Sequence, residues 1–285
     1  MKLSTLHHSK THRVCVFGGP KSGKTQLVGA LSSHYNLLWF DLENGIETLM
    51  KLPLSQQEKI EVIKIPDTKV FPIAIETMLK VISGNKVSIC DAHGKVSCPL
   101  CKKDNLPACD VELSSLDDSW IVVIDSGTQL SQSAMNHITK TQPELYKPEW
   151  SDYRSQGALL EKFLSQVQQA KYNIVFITHE AEVEMEDGKK KLVPVCGTTN
   201  FSRNTAKYFD HVVYADLKNK SHRFASATTY AANILTGSRT DVSLESQDVP
   251  SLLDIFVERG ATQETPASRA LSNLSNLSAQ LKKST

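Results

Sequence analysis

The chain has 285 residues, 40% of them apolar, enough for one large core with or without an appended piece. Its 32 Lys and Arg nearly cancel 31 Asp and Glu, so no global positive field draws in nucleic acid or anionic lipid, and any polyanion must be held by local geometry. No apolar run approaches the ~18 residues of a membrane helix, and Met1 to Arg13 lacks the apolar stretch of a secretory signal. The expectation is a soluble, cytoplasmic protein with no membrane partner, whose six cysteines are thiols or metal ligands and not disulfides.

In chain order, residues 1–12 form a short extension. Arg13 to Phe17 then reads as a buried strand, followed by a glycine-rich turn and a helix over Thr25 to His34. Leu37 to Asp41 and Ile60 to Ile65 are further strands, and Phe71 to Ile82 spaces Ile75, Met78, Leu79 and Ile82 as a helix. A cysteine-rich insert spans 86–112. Unbroken β-branched runs mark Ile121 to Asp125 and Asn173 to Thr178 as central strands, with a helix over Leu159 to Gln169 between them. Asp187-Gly188, between an acidic and a basic run, suggests a hairpin with a type I′ turn. Strands are also expected at His211 to Ala215 and Tyr230 to Leu235. After the core, taken as 13–240, residues 241–285 read as a linker and an amphipathic helix, with Leu271, Leu274, Leu277 and Leu281 on one stripe. That stripe can fold back on its own core or dock on a neighbouring subunit or a replication protein. Alternating apolar strands and helices define an α/β fold, a mainly parallel sheet with helices on both faces.

Gly18-Gly19-Pro20-Lys21-Ser22-Gly23-Lys24-Thr25 has the G-x-x-x-x-G-K-[ST] form of a phosphate-binding loop. Successive backbone N–H groups of Gly19, Pro20's neighbours, Lys21 and Ser22 cradle phosphate oxygens, and the helix that begins here, with Gln26 in its first turn, adds the positive end of its dipole. Lys24 is expected on the β and γ phosphates of ATP and the Thr25 hydroxyl on Mg²⁺. Asp125, at the carboxyl end of a buried strand, is the second candidate for that Mg²⁺.

Phe40-Asp41-Leu42-Glu43, Val123-Ile124-Asp125-Ser126 and Ile177-Thr178-His179-Glu180 resemble the acidic strand end, the Walker B strand and the sensor strand of RecA-like ATPases. The resemblance implies that Glu43 positions the attacking water, that His179 senses the γ-phosphate, and that a late basic residue, best placed at Arg239, completes a neighbouring subunit's site. Arg239 as a plain surface arginine is the competing reading. The resemblance also places a first DNA-binding loop over Gly127 to Gln156, which carries Lys140, Tyr146, Lys147, Trp150, Tyr153 and Arg154, and a second over Glu182 to Val195. Aromatics among cations suit stacked single-stranded bases. Within RecA-like proteins the chain looks most like small phage ATPases of single-strand annealing and recombination. This implies ATP-dependent binding of single-stranded DNA, homo-oligomers along the strand, a single-strand-binding protein or other replication protein at the tail, and a place in the host cytoplasm if phage-encoded. A nucleotide-dependent switch or scaffold of the KaiC type and a ring-type helicase motor are the alternatives, and the near-neutral charge favours the switch.

Cys90, Cys98, Cys101 and Cys109 form C-x7-C-x2-C-x7-C around Cys98-Pro99-Leu100-Cys101, which looks like a zinc knuckle in which four soft ligands surround one Zn²⁺. His93 can substitute for Cys90. The insert is expected to stand outside the nucleotide core.

Overall fold

The computed structural model describes residues 11–218, 221–227, 233–239, 244 and 251–256. β1 (Arg13–Gly18) passes through the glycine loop into α1 (Lys24–Gly29), which tightens into a 3-10 turn at Ala30–Ser33. β2 (Asn36–Asp41), α2 (Leu54–Gln57), β3 (Ile60–Lys64) and α3 (Ala74–Val81) follow. The insert is a two-stranded ribbon, β4 (Val87–Cys90) and β5 (Ala108–Val111), enclosing α4 (Pro99–Lys103). Next come β6 (Trp120–Asp125), α5 (Gly127–Thr139), α6 (Trp150–Gln169) and β7 (Asn173–Thr178), then the hairpin β8 (Glu180–Glu184) and β9 (Lys190–Pro194). The described chain ends with α7 (Thr199–Ser202), β10 (His211–Lys218), β11 (Ser221–Ala225), β12 (Gly237–Ser238) and α8 (Leu253–Phe256).

The main sheet runs β11-β10-β1-β7-β6-β2-β3. From β10 to β3 every pairing is parallel, while β11 and the short β12 pair antiparallel with β10. Strand alternation splits the apolar runs between two faces. Val14, Val16, Leu37, Trp39, Ile121, Val123, Val175 and Ile177 meet Leu27, Val28 and Leu31 of the α1 region on one side. Cys15, Phe17, Phe40, Ile124 and Phe176 meet Met78 of α3, Leu130 and Ala134 of α5, and Phe163 and Val167 of α6 on the other. This is the expected α/β layering, and it explains why these strands read as unbroken apolar runs.

Three local expectations differ from the structure. Most of Gly127 to Gln156 is helical: Ser126 caps α5 by accepting from the Gln129 N–H at 3.3 Å, and Glu149 with Asp152 forms a reciprocal capping box that starts α6. Only 140–149 is loop. The β8–β9 turn is not type I′. The Gly188 N–H donates to the Met185 carbonyl at 3.0 Å and Gly188 alone takes a positive φ of 75°, so a three-residue loop replaces the two-residue one. Of the segment Tyr230 to Leu235, the described part makes one bridge, Ile234 to Leu192. The leucine-striped helix lies outside the described residues. Among the described residues no helix is long and apolar enough to cross a membrane.

Close packing of α5 on β7 depends on Gly127, because a Cβ there would stand 2.1 Å from the Phe176 ring. Gly127→Ala is expected to lower stability by about 1–3 kcal/mol through overpacking, read as a shift of the urea midpoint at unchanged slope.

Candidate functional site

Parallel pairing in register carries four strand ends to one line. Phe17, one residue before Gly18, pairs with Thr178 of β7, Thr178 is one residue past the partner of Asp125 in β6, and Asp125 pairs with Asp41 of β2. The carboxyl ends of parallel strands are where an α/β sheet opens to ligand.

At the β1 end the chain turns sharply. A Cβ on Gly18 would lie 2.0 Å from the Ala215 carbonyl oxygen of β10, so only glycine lets the loop leave the sheet there. Gly23, at φ 93°, opens α1. Lys24 is buried and folds back on the loop, donating to the carbonyls of Gly18 at 3.0 Å and Gly19 at 2.8 Å. Burial lowers the pKa of its ammonium, opposed by Asp125, Glu43 and Glu180. Thr25 Oγ1 lies 3.5 Å from Asp125 Oδ2, a pair of oxygen donors suited to a small divalent cation. Pro20, Lys21 and Gln26 are exposed on the loop's outer side.

Across from the loop stands a group of acids. Burial, then Glu43 and Asp41, raise the Asp125 carboxyl to about 7. Burial also raises Asp41, offset in part by the Gly45 N–H, which donates to its Oδ1 at 3.1 Å. Glu43 behaves differently. Burial alone would raise it, but hydrogen bonds from His179 and Ser126 outweigh that and hold the carboxyl below its ordinary range. Ser126 Oγ donates to Glu43 Oε1, and His179 Nε2 lies 3.6 Å from the same oxygen. The structure thus brings Lys24, Thr25, Glu43, Asp125 and His179 into one cluster.

Four buried polar atoms around this cluster have no hydrogen-bond partner among the described residues: Ser22 Oγ, Asp41 Oδ2, His179 Nδ1 and Glu180 Oε2. Unpaired buried polar groups are costly, and their convergence on a glycine loop marks a place for a polar ligand. Glu180 received no role in the sequence reading, yet its Oε1 would lie 3.4 Å from a Cβ on Gly19. His222 of β11 was also missed. Its Nδ1 lies 2.9 Å from the Ser22 carbonyl oxygen, a contact made by a strand 200 residues away and invisible in any local pattern. A cavity of about 670 Å³ opens beside the cluster, lined by Asp41, Glu43, Asp67, Asp91, Gln129 and His179 among others.

Arg239 stands elsewhere. β12 pairs with His211 and Val212 at the amino end of β10, so Arg239 is carried to the edge of the sheet opposite the phosphate loop, where it donates to Asp210 at 2.8 Å. Asp210 also accepts from Arg13 at 2.7 Å.

The aromatic and basic residues of the expected first DNA-binding loop divide. Trp150, Tyr153 and Arg154, at the start of α6, line a groove of about 640 Å³ with Phe201, Asn204 and Lys207. Lys140 and Tyr146 line a separate hollow, with the Tyr146 hydroxyl donating to Asp152 at 2.6 Å, and Lys147 is exposed.

In the insert, Cys90, His93, Cys98 and Cys101 bring their ligand atoms within 4.8 Å of one another and could chelate a metal. Cys109 does not join them. It pairs with Ile89 in the β4–β5 ribbon, and alternation puts it on the opposite face from Cys90. His93 enters beside Cys90 and takes the fourth place.

A glycine loop between strand and helix, a buried lysine and a facing aspartate at parallel strand ends define a P-loop nucleoside-triphosphatase. Residues 10–240 match the family model described as AAA domain, and the chain belongs to that family. It is an ATP-binding enzyme that hydrolyses nucleoside triphosphate. No curated protein matches the chain. Among solved structures it is similar to a prototypical ATPase from the type III secretion system of pathogenic bacteria, with 14% identity, 79% of this chain and 60% of that chain covered, and a TM-score of 0.43.

A carboxyl whose pKa is raised on folding stabilises the protein below the unfolded value and loses that contribution as pH rises through the folded one. In nucleotide-free protein, melting temperature is therefore expected to fall as pH passes from 5 to 8 across the Asp125 value of about 7. Asp125→Asn is expected to flatten that slope and to raise the melting temperature at pH 8, while hydrolysis is lost.

Proposed function

We propose that the protein is an ATP-driven motor or switch in which Glu43 orients the attacking water. The observation that carries this reading is the Glu43 carboxylate held by Ser126 and His179 across from Lys24. A carboxylate kept ionised can accept a proton from water as it attacks, and one fixed by two partners loses little entropy in aligning it. Mg²⁺ bound to ATP would take Thr25 and Asp125 as its protein ligands and neutralise phosphate charge. Lys24 leaves the loop carbonyls for the phosphates, and His179, with an unpartnered Nδ1, is free to report the γ-phosphate. Zn²⁺ is the second metal, in the Cys90, His93, Cys98 and Cys101 cluster.

A second reading, that the load is single-stranded DNA, as in recombination or annealing, is favoured by the groove at Trp150. Trp150 is 78% exposed and Tyr153 41%, costly for apolar rings in water, and Arg154 and Lys207 supply cations beside them. The β8–β9 hairpin links His179 directly to α7, whose Thr199, Asn200 and Phe201 line the same groove. The Val195 N–H donates to the His179 carbonyl at 2.9 Å, so a change at the γ-phosphate has a short path to the groove through that bond and residues 195–198. The near-neutral net charge of +1 favours a switch or ring-type motor acting on protein instead.

Lys24→Ala is expected to abolish ATP binding, whereas Glu43→Gln keeps binding and loses turnover by about 10² or more, since it removes only the group that aligns water. Equal turnover in Glu43→Gln and the parent would remove the assignment. Oligo-dT is expected to stimulate hydrolysis, and Trp150→Ala with Tyr153→Ala to abolish the stimulation but not the basal rate. Absence of stimulation in the parent would leave a protein-directed motor or switch.

A further inference from the structure

The insert, expected to stand outside the nucleotide core, contributes to the wall of the cavity beside Glu43 and His179. Asp91, next to Cys90, lines the same cavity as Glu43 and His179. Behind it the chain turns tightly. The Gly94 N–H donates to the Cys90 carbonyl at 2.8 Å, and the Cys90 N–H donates to the Lys95 carbonyl at 3.1 Å. Gly94, at φ 61°, lies directly on the end of β3, where a Cβ would stand 2.7 Å from Ile65 Cα and 2.9 Å from the Lys64 carbonyl oxygen. Thr77 of α3 clamps the turn from the other side, its hydroxyl donating to the Gly94 carbonyl at 2.9 Å. Lys64, Ile65 and Pro66, on which the turn rests, line the cavity as well, with Asp67 next to them.

Cys90, at the start of that turn, and His93, within it, are candidate metal ligands. Tetrahedral bonds of about 2.0–2.1 Å to nitrogen and 2.3 Å to sulfur place N and S ligand atoms about 3.6 Å apart. His93 Nδ1 lies 3.0 Å from Cys101 Sγ, 3.7 Å from Cys98 Sγ and 3.9 Å from Cys90 Sγ, a set that brackets this value. The imidazole is held for the task, its ring packed edge-on against Phe71 at 6.3 Å between centroids. Three thiolates and one imidazole in tetrahedral array suit Zn²⁺ and disfavour the hard, oxygen-seeking cations.

We propose that one Zn²⁺ on Cys90, His93, Cys98 and Cys101, with Cys109 excluded, pins the Cys90–Gly94 turn against the end of β3 and so fixes one wall of the catalytic cavity. The ion acts as a positioning element for Asp91 and for Ile65 to Thr68, at the side of the cavity away from the phosphate loop. Loss of the metal therefore loosens the water side of the site and leaves the phosphate cradle intact. The proposal does not need Glu43 to be the catalytic carboxylate, and its test does not use hydrolysis.

The test combines metal analysis with amide hydrogen exchange on the full chain. Purified protein and Cys109→Ser are expected to hold one Zn²⁺ per chain, and Cys98→Ser to hold none. His93→Ala is expected to weaken Zn²⁺ binding by more than about 100-fold, beyond the ~10–100-fold of a residue that only supports a ligand. Stripping Zn²⁺ from the parent with a chelator is expected to speed exchange at Ile65 and Thr68 by about tenfold or more, with Val14 to Phe17 unchanged and binding of a fluorescent ATP analogue retained. Gly94→Ala, which keeps every ligand but cannot sit on Ile65, is expected to retain Zn²⁺ and still show the faster exchange. Metal loss in Cys109→Ser matching that in Cys98→Ser would overturn the ligand set. Unchanged exchange at Ile65 and Thr68 after stripping would overturn the wall.

Discussion

Parallel pairing in strict register is the constraint on which the rest of this molecule depends. Because β1, β7, β6 and β2 all run one way, whatever follows their last residues is delivered to one edge of the sheet. The phosphate loop, His179, Asp125 and Glu43 have no contact in sequence, and the sheet is what makes them neighbours. A slip of one residue in β6 would turn Asp125 toward a helix-covered face and remove the facing carboxylate. The apolar runs that fill both faces therefore act as the ruler for the site: every buried Val and Ile in β6 and β7 helps to fix where one carboxylate and one imidazole stand.

The site also gathers more negative charge than an unliganded protein would favour. Asp125, Glu43 and Glu180 face a single buried ammonium, burial pushes up Asp125 with help from Glu43 and Asp41, and burial pushes up Asp41 as well. Asp125, raised to about 7, keeps a proton that a bound cation would displace. The site is shaped for a complex of anion and divalent metal together, since the loop N–H groups alone would accept phosphate but the acids beside them would repel it.

Much of this was legible in the sequence, for a definite reason. The glycine loop, the buried strands and the acids at their ends are local signals, each carried by a run of adjacent residues. Glu43 and His179 could be named by resemblance, and the fold places them in contact. What sequence could not supply was anything set by two distant segments. His222 reaches the loop from β11, Glu180 stands beside Gly19 at the start of a hairpin, and a two-residue strand carries Arg239 to the end of the sheet away from its own phosphate loop. The cysteine insert shows the same division. Symmetric spacing suggested four thiolates, but spacing along a chain does not know about the faces of a ribbon, and the pairing of Cys109 with Ile89 turned it away and left the place to His93.

The position of β1 has a consequence for how the chain is made. β1 comes first among the described strands, yet its neighbours are β7 and β10, so Arg13 pairs with Ile174 and Val14 with His211. Until residues 173–178 have been made, the phosphate loop has neither flank of its strand in place. Non-local pairing of this kind is slow and leaves a bare apolar edge exposed meanwhile. The phosphate loop thus gains both flanks of its strand only when β7 and β10, far along the chain, have joined the sheet.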